Sequence, residues 1–404
     1  MAGANRLIDL PGRDRGRSAA ASGTVIDLAR SSGPSIPALA DRDQPDRPAP
    51  PLYFINWWID AALVGGLSLL AWLALSVFNN RFGANFIFAL TFLFSLPHFS
   101  ATVYRLYQSP QHTRQFPVTA WGVPWILLGA MLAAFWKPTL VAPYLFLLYF
   151  IWSPYHYSGQ TIGLTMIYAK RSGFHIGRAE RLALTTFILA TFVCAITGIK
   201  SGAATKVFDI SIPLPLFPAW AHAAAAAVMW TAAAVFIGCA IKWCLERKRL
   251  LPPIVLLPAL TQFVWFVPGP TLLAFFAFVP MFHALQYLMV ACVVQLKHRI
   301  DAPGVERSWR CVRSEALRWW FRNIAGGVLL FYGLPVIFSG AASLPFLTAV
   351  GVVAAAVNIH HFFVDGVIWK LRDGSNASAL MTNVAEFSRE PGAIRPPLAA
   401  ARSA

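Results

Sequence analysis

Leu344–Asp373 reads LPFLTAVGVVAAAVNIHHFFVDGVIWKLRD. Its apolar part supplies the ~20 residues that a membrane-crossing helix needs. Lys370 and Arg372 close it, as basic residues close a span at a cytoplasmic face. Asn358, His360, His361 and Asp365 interrupt the apolar run. Hydrocarbon is a costly place for ionisable groups, so such a cluster marks a functional site.

The same apolar character recurs from Pro51 to Ile368. Of the 404 residues, 57% are hydrophobic and only 12% charged, against ~25% charged in soluble domains. Backbone groups in lipid must be satisfied within each segment, which predicts helices. The alternating pattern of a membrane barrel is missing. The expected fold is therefore all-α, a polytopic membrane bundle of about ten spans. They fall at 53–78, 84–106, 117–136, 139–169, 180–199, 218–243, 252–267, 271–296, 321–340 and 344–369. Pro154 is expected to kink the fourth span, and 200–217 reads as a longer loop. Residues 1–50 read as a disordered basic tail and 374–404 as a flexible one, flanking a membrane domain over 51–373.

The net charge of +16 does not point to nucleic acid. The basic residues gather at Arg105–Arg114, Lys170–Arg181, Lys242–Arg249, Lys297–Arg322 and Lys370–Arg372, after every second span. That pattern places both termini in the cytoplasm and makes the bilayer the main partner. The expected location is the cell membrane, which is the inner membrane in a Gram-negative bacterium. The five cysteines show no framework spacing and read as buried small residues or reduced thiols.

Five histidines lie inside spans: His98, His156, His283, His360 and His361. Their spans all run toward the cytoplasm. His98 sits ~10 Å before Arg105 and His361 ~14 Å before Lys370, while His156 and His283 each sit ~21 Å before the basic residue ending their helix. One shared layer in the inner half of the membrane follows. Asp60, early in the first span, is expected near that layer too.

Polar residues follow at helical spacing: Ser95-His98-Thr102-Arg105, Trp152-His156-Gln160-Gly163, His283-Gln286-Tyr287 and Asn358-His361-Asp365-Arg372. Residues four apart share a helix face, and polar faces of membrane helices turn inward. Converging imidazoles are the usual ligands of iron, copper, zinc and nickel. Asp365, Gln160, Tyr287 and Asp60 are candidates to orient them. His360, ~100° round the helix from His361, reads as a fifth ligand, a second-site ligand or a core residue. Arg105 is a candidate to hold a polar head group.

Pro97-His98, Tyr155-His156-Tyr157, Phe282-His283 and His360-His361 together resemble the layout of histidine-rich integral-membrane iron oxygenases. The HxxxH and HxxHH boxes of fatty-acid desaturases are absent. The nearest likeness is to the Brp/Blh-type membrane carotene dioxygenases. There, single histidines from separate transmembrane helices hold iron within the bilayer.

The resemblance implies a non-haem iron oxygenase or oxidoreductase acting on a lipid-like or isoprenoid substrate. His98, His156, His283, His361 and, in one version, His360 would hold the metal. Tyr287, Asp365 and Gln160 would assist catalysis. Two other classes use the same residues: a haem-b electron carrier, and a transporter with a histidine–aspartate relay.

Overall fold

The computed structural model describes residues 51–78, 86, 89–199, 205–342, 345–369 and 378–388. The tail at 1–50, Arg81, Lys200, Lys370, Arg372, Asn376 and residues 389–404 lie outside the described residues.

Among the described residues eleven helices follow one another: α1 (Trp57–Val77), α2 (Leu96–Tyr107), α3 (Pro110–Gln115), α4 (Val118–Trp136), α5 (Pro138–Arg171), α6 (Arg178–Thr197), α7 (Ala219–Arg247), α8 (Pro253–Phe266), α9 (Leu273–Ile300), α10 (Trp309–Ala341) and α11 (Phe346–Ile368). A 3-10 turn, Gly269–Thr271, lengthens α8. With that turn included, α1, α4, α6, α7, α8, α9, α10 and α11 are long and apolar enough to cross a membrane. The chain is an all-α polytopic membrane bundle.

The two expected spans outside this set are α2 and α5. Both are helical, and α5 runs unbroken for 34 residues through Pro143 and Pro154. They are also the helices that bear His98, Thr102 and Arg105, and His156 and Gln160. The polar stripes that lower their hydropathy build the site described below.

Burial sets the order from centre to rim. In α9, 83% of the most apolar window is buried, and in α11 72%, against 11% in α10. The central α9 packs on α2, and α11 packs on both α2 and α5. Two close approaches depend on glycine. A Cβ on Gly65 of α1 would lie 2.0 Å from Thr261 Oγ1 of α8, and one on Gly327 of α10 would lie 2.7 Å from the Leu96 backbone. Among the described residues, π turns fall at Ala62–Gly66, Thr91–Ser95, Val118–Gly122 and Leu329–Gly333. Such turns often accompany functional sites. Here the first contains the Val64 carbonyl, which accepts from the Gln286 side chain, and the second leads directly into the helix of His98.

One end of the bundle is fastened by Arg171, only 3% exposed. Its guanidinium donates to the Leu380 carbonyl at 2.9 and 2.7 Å, to Thr382 O at 3.0 Å and to Pro51 O at 2.9 Å. It also lies 3.8 Å from the Phe54 ring centroid. Asn383 donates to the Tyr53 and Ile55 carbonyls. The start of α1, the end of α5 and residues 378–388 therefore share one end, as the alternating charge pattern requires.

Four expectations are corrected. Part of the C-terminal segment read as flexible is packed, since Ala379, Leu380 and Phe387 are each 1% exposed. The stretch 200–217 contains a hairpin, Thr205–Val207 paired with Ile210–Ile212. Phe208 and Asp209 at its turn both have positive φ, as a two-residue hairpin turn needs. The helix of the ninth span starts at Trp309, well before its apolar run, because the Ser308 side chain caps it by accepting from Cys311 N. Asp60 lies away from the histidines. Its carboxylate accepts from Phe54 N at 2.6 Å, Ile55 N at 3.0 Å and the Tyr168 hydroxyl at 2.9 Å.

Candidate metal centre

Four helices each bring one imidazole to a common point. His98 comes from α2, His156 from α5, His283 from α9 and His361 from α11, and one nitrogen of each lies within 4.8 Å of those of the others. The rings form a closed circuit. Their centroids are 4.3 Å apart for His98–His361, 4.7 Å for His361–His156, 5.0 Å for His156–His283 and 5.1 Å for His283–His98.

Each ring is fixed by what surrounds it. The Tyr157 ring stacks on His283 at 4.1 Å and Phe362 stacks on His156 at 4.7 Å. The Tyr287 ring stands edge-on to His98 at 4.3 Å. Gln160 donates to the backbone carbonyl of His283 at 3.0 Å and to Gln286 Oε1 at 2.9 Å, tying α5 to α9 beside the site.

Thr102 is the hub. Its Oγ1 lies 2.9 Å from His361 Nδ1, 2.7 Å from the Tyr287 hydroxyl and 3.2 Å from Asp365 Oδ1. A hydroxyl has one proton and two lone pairs. Asp365 Oδ1, the Tyr287 oxygen and the His98 carbonyl oxygen at 3.3 Å are all within reach of that proton, and Thr102 has lone pairs left to accept from His361 Nδ1–H. With Nδ1–H donated to Thr102, His361 keeps its lone pair on Nε2. That atom faces His156 Nε2 at 3.1 Å and Asp365 Oδ2 at 3.4 Å, and His156 Nε2 is 3.7 Å from the same carboxylate oxygen. Either the His156 Nε2–H donates among these acceptors, or a cation sits between them.

The remaining pair decides which description fits better. His98 and His283 are 1% and 2% exposed, and among the described residues neither nitrogen of either ring has a hydrogen-bond partner. An unsatisfied buried polar group costs ~1–3 kcal/mol, and native interiors contain few of them. Ligand nitrogens at ~2.1 Å from a metal in a square arrangement are ~3.0 Å apart as neighbours and ~4.2 Å across. The closest pair here is at 3.1 Å and all lie within 4.8 Å, so shifts of about an ångström or less bring the set to coordination distance. The donor set fits a transition metal.

A cavity of 440 Å³ adjoins the centre, sharing His156, Gln160, Tyr287 and Asp365 with it. Its other walls are mainly apolar and include Trp152, Leu164, Val290 and Phe362. This is the size range of small-molecule sites.

Two expected residues are elsewhere. His360 turns away from the group, with its ring 6.4 Å from that of Tyr107. One helical step separates it from His361 by ~100°, which carries it off the site face. Arg105 is 4% exposed and lies with its guanidinium 4.6 Å from the Trp369 ring centroid, so it is an interior group and not one presented to lipid head groups. Thr102 and the stacking rings of Tyr157 and Phe362 gain a role that sequence reasoning did not give them. The signal for Thr102 was its position four residues after His98. No protein-family model, no curated protein and no solved structure matches the chain.

Proposed function

We propose that the protein is an integral-membrane metal-dependent oxidoreductase, with non-haem iron held by His98, His156, His283 and His361. The single observation that carries this reading is the pair of buried, unpartnered imidazoles, His98 and His283, packed against two others. Iron with open coordination positions supplies dioxygen chemistry. Thr102 holds His361 in the tautomer that offers Nε2. Asp365, whose Oδ2 lies 3.4 Å from His361 Nε2, would balance the cation's charge. Gln160 steadies His283 through its backbone carbonyl. The apolar cavity takes a lipid-like or isoprenoid substrate beside His156 and keeps bulk water from it. The layout resembles the Brp/Blh-type membrane carotene dioxygenases, and the loop charges orient the site toward the cytoplasmic half of the cell membrane.

A proton-relay transporter is the second reading. The contacts joining His156, His361, Thr102 and Asp365 favour it. Elemental analysis and a visible spectrum of detergent-purified protein separate the two. Stoichiometric iron, lost in His361→Ala, is the expected result. Wild-type protein with negligible metal after anaerobic loading refutes the oxidoreductase.

A further inference from the structure

The cavity is elongated, and its long wall is α5. Trp152 and Ile167 mark its ends along that helix, a separation of ~22 Å at 1.5 Å per residue. Along that length the lining is mainly apolar, with Ile162, Leu164, Leu189 and Val290 among its residues. The backbone of α5 is bare along it. Gly159 and Gly163 are one turn apart on this wall, and Gly366 of α11 faces the same space. A Cβ added to any of the three would meet no atom within 4 Å.

Glycine inside a helix costs ~0.5–1 kcal/mol relative to alanine. In membrane helices it usually admits a neighbouring helix, as Gly65 and Gly327 do here. At Gly159, Gly163 and Gly366 the space that the missing side chains leave is the cavity itself. Gly129, Gly238 and Gly340 also have open space at their Cβ positions but do not line the cavity; at the three that do, the bare backbone lets a ligand pass close to it.

Access is lateral. Tyr155 and Gly159 are exposed on the outer surface of α5, with Phe192 of α6 beside Tyr155 and Phe363 of α11 beside Trp152. Leu380, held by Arg171, lines the cavity from the segment that crosses the charged end of the bundle. His156 is ~6 Å from the Trp152 end and ~16 Å from the Ile167 end. The longer arm is about half of a ~30 Å hydrocarbon core, or one leaflet's chain length.

We infer that this slot binds one linear apolar chain, threaded from the bilayer along α5 over Gly159 and Gly163, and that these glycines and Gly366 set the chain width it accepts. That the chain reacts beside His156 rests on the metal reading above; that it binds does not. The test uses full-length protein in lipid nanodiscs doped with a fatty alcohol carrying a diazirine along its chain. Light-induced adducts are mapped by mass spectrometry, and metal content is measured on the same samples. Leu164 and Val290 line the slot yet are only 4% and 7% exposed, so bulk lipid does not reach them.

Adducts at both residues are expected in wild type, falling at least tenfold in Gly163→Leu with metal content unchanged. Gly129→Leu should match wild type, because Gly129 is exposed on α4, also has open space at its Cβ, and does not line this cavity. Absent adducts in wild type, or adducts undiminished in a folded Gly163→Leu, overturn the inference. If that variant does not fold, Gly366→Val is read in the same way; if neither folds, the wild-type pattern decides. Adducts without metal leave the slot standing and remove the oxidoreductase; metal without adducts does the reverse.

Discussion

Replacing Thr102 by valine keeps the side chain's shape and deletes one oxygen. That oxygen serves three side chains, His361 at 2.9 Å, Tyr287 at 2.7 Å and Asp365 at 3.2 Å, besides the His98 carbonyl at 3.3 Å. Thr102 is 0% exposed, so water does not replace what is lost. Each buried group left without a bond costs ~1–3 kcal/mol. The three belong to one network, so the losses do not add, and the expected fall in stability is ~2–4 kcal/mol. The effect on metal is separate. Without an acceptor at Nδ1, His361 loses the preference that leaves its Nε2 free, and removal of such an orienting partner typically weakens metal binding ~10–100-fold. The assay is iron affinity by competition with a calibrated chelator, alongside thermal unfolding in detergent. Thr102→Ser, which keeps the hydroxyl, should lie close to wild type. A folded Thr102→Val that binds iron within about twofold of wild type refutes the assignment of Thr102 as the group that orients His361.

Alanine at His98, His156, His283 or His361 should abolish stoichiometric iron, whereas His360→Ala should retain it, since that ring lies against Tyr107; elemental analysis of the five variants checks this. Arg171→Met removes the donors that hold Leu380, Thr382 and Pro51, and should cost ~3 kcal/mol or more. It should also open residues 378–388 to limited proteolysis, which resistance equal to wild type would contradict. Single cysteines at Ser308 and Lys137, in a background with the five native cysteines replaced, should label from opposite sides of sealed vesicles. Labelling from one side would break the alternating topology.

The membrane class and most of the long apolar helices were legible from composition and from where the lysines and arginines fall. Those properties depend on local hydropathy and on charges beside each span, which a chain displays whatever its packing. The four site histidines were legible for a related reason. Polar residues at helical spacing within apolar runs, such as His361 and Asp365, have only the bundle interior to turn toward. His360 is next to His361 in sequence but on another face, and only the rotation of α11 against α5 and α2 decided between them.

Other features depended on distant partners. Asp60 looked like a site residue by depth and Arg105 by its place on the stripe of His98 and Thr102, but neither depth nor spacing gives the tertiary partner. Asp60 accepts from the backbone at the start of α1, and Arg105 lies over Trp369. The packing of 378–388 depends on Arg171, more than two hundred residues earlier in the chain. Thr102 is an unremarkable threonine until α2, α9 and α11 meet, when one hydroxyl joins an imidazole, a phenol and a carboxylate. The sequence by itself determined which helices carry the clustered histidines, because hydropathy and helical period are local. Tertiary structure alone decided which nitrogens face each other, which hydroxyl lies among them and where a cavity remains, because those follow from helix rotation and the contacts it closes.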